Sequence, residues 1–174
     1  NSLGVQVTVI EMLDEILGGM DKELSALLRA EYAKRGIKFM LSTKVVSLAE
    51  ASSEDGKPQV QVNFENAEGT GSVLAEKLLM SVGRRPVTKG FGLENLELKR
   101  TERGNICTNE QMQASAPGVY ICGDLTGYSL LAHTAVREAE VAVHTILGKK
   151  DVMSYWAIPG VVSVSYTHLR AHET

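Results

Sequence analysis

Asp124 follows Gly123 directly, at the end of the apolar run Val119-Tyr-Ile-Cys122. A strand that stops on a glycine and an acid leaves one carboxylate at the carboxyl edge of a sheet, where open α/β sheets bind ligands. There Asp124 can accept hydrogen bonds from a hydroxylated chain; the plainer alternative is an acid that caps a turn. Shortly after it, Leu130-Leu-Ala-His133 opens a helix. Unpaired N–H groups at such a start carry partial positive charge and favour an anionic or electron-rich ring edge. Taken alone, His133 reads as a satisfied core histidine. Glu11 closes the β-branched run Val5-Gln-Val-Thr-Val-Ile10. An acid at that place in a β-α-β unit can hold both hydroxyls of an adenosine ribose and repel a 2′-phosphate; in isolation it is a solvated acid at a strand end. Gly83 ends the run Lys77–Val82, and a missing side chain there lets a planar ring or a ribose approach the backbone. Arg84 and Arg85 then meet a phosphate or an acid, or merely solvate a turn.

These residues need elements to position them. Val5–Glu11 has the pattern of a buried strand. A helix follows, with Asp21 as its cap, Leu24, Leu27, Leu28 and Tyr32 at helical spacing, and Gly36 as its stop. Ile37–Leu41 is a short strand leading into Val45–Leu48, giving β-α-β order. Glu54–Pro58 is a turn cluster, and Val60, Val62 and Phe64 alternate with polar residues as a half-exposed antiparallel strand. Asn66–Gly69 turns again, Gly71–Ala75 is a short strand, and Lys77–Val82 returns as a buried strand of the parallel sheet. Pro86–Asn105 is loop-like, with Leu93, Leu96 and Leu98 as packing contacts; Ile106–Thr108 and Val119–Cys122 are strands around a Ser115–Gly118 turn. The last helix spans Leu130–Leu147, with Ala132, Ala135, Val136, Ala139, Val143 and Leu147 on one apolar stripe and Gly148 as its stop.

Composition narrows the class. The 174 residues are 44% hydrophobic and 22% charged, the mix of a globular α/β protein. A net charge of -3 without a basic stripe argues against nucleic acid as a partner. No apolar run approaches the roughly 20 residues of a membrane helix and no signal peptide is evident, so a cytoplasmic protein is expected. Cys107 and Cys122 fit neither C-x-x-C nor a zinc spacing and read as reduced, partly buried thiols. The first strand begins almost at Asn1, as in an internal piece of a longer product. Val164–Thr174 reads as a translated library adapter, which leaves His168 and His172 without a ligand role.

An electron-rich ring edge suited to a helix start is that of a reduced flavin, whose pyrimidine N1 and carbonyl gain negative charge on taking up electrons. The stretches VTVIEMLDEIL, MDKEL, GIKFMLSTKV, LLMSVGRRPVT, GVYICGDLTGYSLLAHTAVREAEVA and YWAIPGVV together resemble the flavin-dependent pyridine nucleotide-disulfide oxidoreductases, most of all the dihydrolipoamide dehydrogenase branch, from Asn1 to Val162. The resemblance implies an α/β chain in which residues 1–85 are an incomplete NAD-binding Rossmann-like domain with a β-meander. Residues 86–150 would be the returning, C-terminal part of a FAD-binding domain, 151–162 the start of a dimerisation domain, and 163–174 the non-native tail. It implies FAD and NAD as cofactors. Glu11 would be the NAD ribose acid, Val45 a contact near the adenine and Gly83 the nicotinamide-side glycine. Asp124 would hold the FAD ribitol, and Leu130, Leu131, Ala132 and His133 would line the flavin pyrimidine edge through their backbone.

The family's redox-active cysteine pair, its catalytic His-Glu pair and both Gly-rich phosphate loops have no counterpart in this sequence. The expectation is an inactive fragment of an enzyme that oxidises dihydrolipoamide on a lipoyl carrier domain of a 2-oxo acid dehydrogenase complex, homodimeric at full length. A mercuric or other disulfide reductase of the same architecture is the alternative within the class, and a stand-alone, non-catalytic nucleotide-binding module the alternative outside it.

Overall fold

The first helix is fixed by its cap. In the computed structural model, which describes residues 1–160, the Asp21 side chain accepts from the Glu23 and Leu24 amides at 2.9 and 3.2 Å. These are donors that a helix start leaves orphaned. Before the helix lies β1, Thr8–Ile10; the helix, α1, spans Lys22–Lys34; after it comes β2, Lys38–Met40. The two strands pair in parallel with Thr8 opposite Lys38 and Ile10 opposite Met40, so the expected β-α-β order is realised. Gly36, at φ +88°, makes the reversal between α1 and β2.

A separate antiparallel meander follows: β3, Lys44–Ser52; β4, Pro58–Asn66; β5, Gly69–Ala75, in the order β3-β4-β5. The register between β3 and β4 slips between Val45 and Ser47, a bulge that raises local twist. Val62, central in the meander, is buried. Opposite Phe64 stands Gly71, where an added Cβ would lie 2.6 Å from the ring, so the aromatic side chain occupies the room a side chain at 71 would need.

The chain divides into two compact units, Asn1–Ser81 and the residues from Val82 onward. In the second unit a core of Leu98, Ile106 and Ile121, with Leu93 packed on it, lies beside a cluster of Met112, Val141, Ala142 and Met153. The second cluster is built on α2, Ala132–Ile146.

Several expectations are corrected. Lys77–Val82 forms no strand, and Leu79 and Val82 are almost fully exposed. β1 pairs with β2 and the meander closes on itself as β3-β4-β5, so Lys77–Val82 has no strand beside it among the described residues and joins no ladder. Ile106–Thr108 and Val119–Cys122 are extended but make only isolated bridges, Arg100 with Ile106, Thr108 with Ala114 and Gln113 with Tyr120. Leu96 is 39% exposed and joins neither apolar cluster, while Leu93 and Leu98 pack as expected. On α1 the buried side is centred on Ser25, with Leu24 and Leu27 exposed, because Arg29 on that side pairs with Glu15 through two hydrogen bonds of 2.8 and 2.9 Å.

On α2 the buried face is Thr134, Glu138, Val141 and Ala142, and Val136, Val143 and Leu147 of the expected stripe are exposed. The face that packs bears Glu138, whose carboxylate satisfies the backbone turn at Gly123.

Candidate functional site

Cys122 is fully extended at φ -140°, ψ 166°, and Gly123 then turns at φ +73°, opening a 3-10 turn over Gly123–Leu125. A Cβ on Gly123 would stand 3.4 Å from Ala135 Cβ, so this turn lies against the first turns of α2. Glu138, fully buried on α2, locks it there. Its Oε2 accepts from the Gly123 amide at 2.5 Å, and its Oε1 accepts from Thr126 Oγ1 at 3.2 Å and from the Tyr155 hydroxyl at 2.8 Å. Asn105 adds a longer hydrogen bond of 3.4 Å to the Asp124 carbonyl.

Held by this scaffold, the Asp124 side chain is 55% exposed, with Arg84 Nη1 at 4.0 Å the only cation beside it among the described residues. An exposed pair at that distance is weak and leaves the carboxylate able to accept other donors. The start of α2 is open as well. Leu131 occupies the cap position in extended conformation with no side-chain acceptor for the first N–H groups. Leu130, Ala132 and His133 are exposed and Leu131 is half-buried. His133 is therefore not the core histidine that its type alone suggested. An unoccupied acceptor and an uncapped helix start are thus brought into one region of the second unit, a donor and acceptor set that fits a hydroxylated chain joined to an electron-rich ring. A cavity of about 410 Å³ between Thr101–Cys107 and Thr126–Tyr128 adjoins the turn, but neither Asp124 nor the first residues of α2 line it.

In the first unit, Glu11 ends β1. Its amide donates to the Met40 carbonyl and its carbonyl accepts from Thr43, which fixes the backbone, while Oε1 accepts from the Leu13 amide at 2.9 Å. Val45 lies in β3 beside the bulge and is 43% exposed. Gly83 belongs to the second unit, at φ +110° with open space where a Cβ would be. It does not end a strand, contrary to expectation, although its conformation disfavours any side chain.

The Cys122 thiol is not an activated nucleophile. Both cysteines are free, and Cys122 is exposed rather than partly buried; what burial it has, and then Glu138, push its thiol up. No group of three or more metal-ligating side chains occurs among the described residues, and His168 and His172 lie outside them.

Sequence reasoning missed Glu138, Tyr155 and the cluster around Asp151. Arg137 donates to both Asp151 oxygens at 2.9 and 2.5 Å and His144 Nδ1 lies 2.7 Å from one of them, which holds the Asp151 carboxyl well below the usual carboxylate range. Burial, followed by the hydrogen bond to Glu138, pushes the Tyr155 hydroxyl above its ordinary range. The available signal was an acid at i+4 from Thr134 and three before Val141, an interrupted second stripe on the same helix.

Residues 1–139 match the family model described as pyridine nucleotide-disulphide oxidoreductase. A dihydrolipoyl dehydrogenase of Thermus scotoductus is 41% identical over 162 residues, covering 92% of this chain and 34% of that protein. The human mitochondrial dihydrolipoyl dehydrogenase is 35% identical over 167 residues, 95% of this chain and 32% of its own length. Among solved structures, LpdA of Mycobacterium tuberculosis superimposes with a TM-score of 0.74 at 26% identity, covering 87% of this chain and 32% of that one. The chain thus spans about a third of the length of the curated relatives it matches.

Proposed function

Because this chain belongs to the pyridine nucleotide-disulphide oxidoreductase family, we propose that it carries the nucleotide-reading and flavin-holding middle of a dihydrolipoyl dehydrogenase. Such an enzyme passes electrons from dihydrolipoamide through a disulfide and FAD to NAD. The observation that carries the reading is the exposed Asp124 carboxylate, on a turn that a buried acid holds beside a helix start without a cap. In this reading residues 1–85 serve NAD, 86–150 serve FAD and 151–162 lead into the dimerisation domain; the last two of these residues lie outside the described part.

Each residue then has a task. Asp124 accepts from the ribitol hydroxyls of FAD, and the backbone of Leu130, Leu131, Ala132 and His133 faces the pyrimidine edge, where the positive end of α2 favours the reduced ring. Glu11 accepts from the adenosine ribose of NAD and disfavours a 2′-phosphate, Val45 lies near the adenine, and Gly83 leaves room on the nicotinamide side. The reductant is dihydrolipoamide on a lipoyl carrier domain of a 2-oxo acid dehydrogenase complex, the full-length enzyme is a cytoplasmic homodimer, and the cysteine pair and the catalytic His-Glu pair come from outside this sequence. RclA of Escherichia coli, a flavoprotein disulfide reductase at 23% identity and TM-score 0.70, shares the fold and lends no substrate.

A dinucleotide is held chiefly through its pyrophosphate, by a strand, a Gly turn and a helix start. The 174 residues alone should therefore purify colourless and lack NADH-dependent activity, and a yellow, active preparation would refute the assignment of roles. In the protein extended by the upstream segment that its relatives carry, Asp124→Ala should weaken FAD retention about 10- to 100-fold, the worth of a lost charge-assisted pair. Unchanged FAD retention in that variant defeats the flavin reading.

A further inference from the structure

We infer that Glu138 and Tyr155 form a relay through which the 151–155 segment, seated on α2, sets the place of the Gly123–Thr126 turn and so the direction in which Asp124 is presented. The inference deepens the flavin reading, on which it rests for the identity of the ligand alone.

Glu138 has no exposed surface, and a carboxylate taken out of water is costly unless its oxygens are satisfied. Three donors meet it, and they come from two separate stretches. Gly123 N–H and Thr126 Oγ1 belong to the turn, at 2.5 and 3.2 Å, while the Tyr155 hydroxyl, at 2.8 Å, belongs to the segment after α2. The Gly123 amide is the first group of the turn, and Asp124 is the next residue, so movement of that peptide swings the carboxylate.

Tyr155 is itself fixed from several sides. Asp151 is clasped by Arg137 and His144, Met153 is buried and its amide donates to the Glu110 carbonyl at 2.7 Å, and the Tyr155 ring lies 4.9 Å from that of Tyr128, just beyond the turn. The 151–155 segment is thus held by α2, by the Glu110–Met112 loop and by Tyr128, and the Tyr155 hydroxyl is linked to Gly123 through one side chain, Glu138. A glutamine would keep its oxygen on the Gly123 amide and donate its NH2 to the Thr126 and Tyr155 hydroxyls, which accept as well as donate, whereas leucine offers no partner to either stretch. Glu138→Leu therefore breaks the turn side and the Tyr155 side together.

The test is amide hydrogen exchange by NMR on the flavin-free 174-residue chain. In Tyr155→Phe, which removes only the hydroxyl, Gly123 exchange relative to that of Val141, in the same cluster of α2, should rise about tenfold or more. Glu138→Leu, which removes the acceptor shared by the two stretches, should do the same. An unchanged ratio in both variants, or an equal acceleration at Gly123 and Val141, overturns the relay and leaves Glu138 a purely stabilising group. In the longer flavin-loaded protein, Tyr155→Phe should weaken FAD retention several-fold with no contact to the ligand. If the exchange ratio rises while that protein binds no FAD, the relay stands and the flavin reading fails instead.

Discussion

Leu27 on α1 and Met112 in the second unit are of similar size and polarity, yet Leu27 is 60% exposed and Met112 is fully buried. The contrast extends to their surroundings. The first unit has regular elements, a parallel pair, a helix and a long meander, but Val62 is its one buried hydrophobic among the described residues. The second has little regular structure besides α2 and holds two apolar clusters, with a buried acid in their midst. Regularity and burial are thus separate achievements: caps, turns and ladders shape the first unit locally, while long-range contacts hold irregular backbone in the second.

The sharpest way to break that contrast is Glu138→Ala. It strands the buried Gly123 amide and the Tyr155 hydroxyl without an acceptor, at an expected cost of about 3–5 kcal/mol in the second unit. Urea unfolding followed by the loss of amide protection at Val141 measures it; a loss below about 1 kcal/mol contradicts the role of the buried acid. Met112→Ala should cost about 2–5 kcal/mol, against less than about 0.5 for Leu27→Ala, and similar losses for the two would erase the distinction between the units. Asp21→Ala removes the acceptor for two amides of α1 and should cost about 1 kcal/mol, seen as lost helical circular dichroism before the second unit melts.

The gentlest effect is expected from acid. Asp151 has its folded-state pKa depressed by Arg137 and then His144, so its contribution is complete above the ordinary carboxylate value and is lost as pH falls through the lower, folded one. Stability of the second unit should decline progressively below about pH 4, the usual carboxylate range, and Asp151→Asn should flatten that decline. A decline of the same steepness in Asp151→Asn assigns it to other carboxyls.

The same division explains what the amino-acid sequence reveals. Asp21, Gly36 and the Glu54–Pro58 turn act over a few residues, and each was readable because its partner is adjacent in the chain. Lys77–Val82 was not, since a strand is defined by a neighbour and the pattern of apolar residues is silent on whether one is present. The face of α2 was misread for a related reason. Apolar periodicity marked Val136, Ala139 and Val143, while the face that is buried carries Glu138, whose partner is an amide fifteen residues away. Asp124 and the opening of α2 were legible as a pair; the acid and the tyrosine that hold the turn were not, because Tyr155 lies beyond the helix and is joined to the site only in three dimensions.

The Phe64 ring lying over Gly71 has a bearing on how this sequence can drift. In a library covering every codon of β5, the flanking Thr70 and Ser72 point into solvent and should accept most replacements. Position 71 should remain a lone blank between them, filled only by variants in which Phe64 has first become smaller.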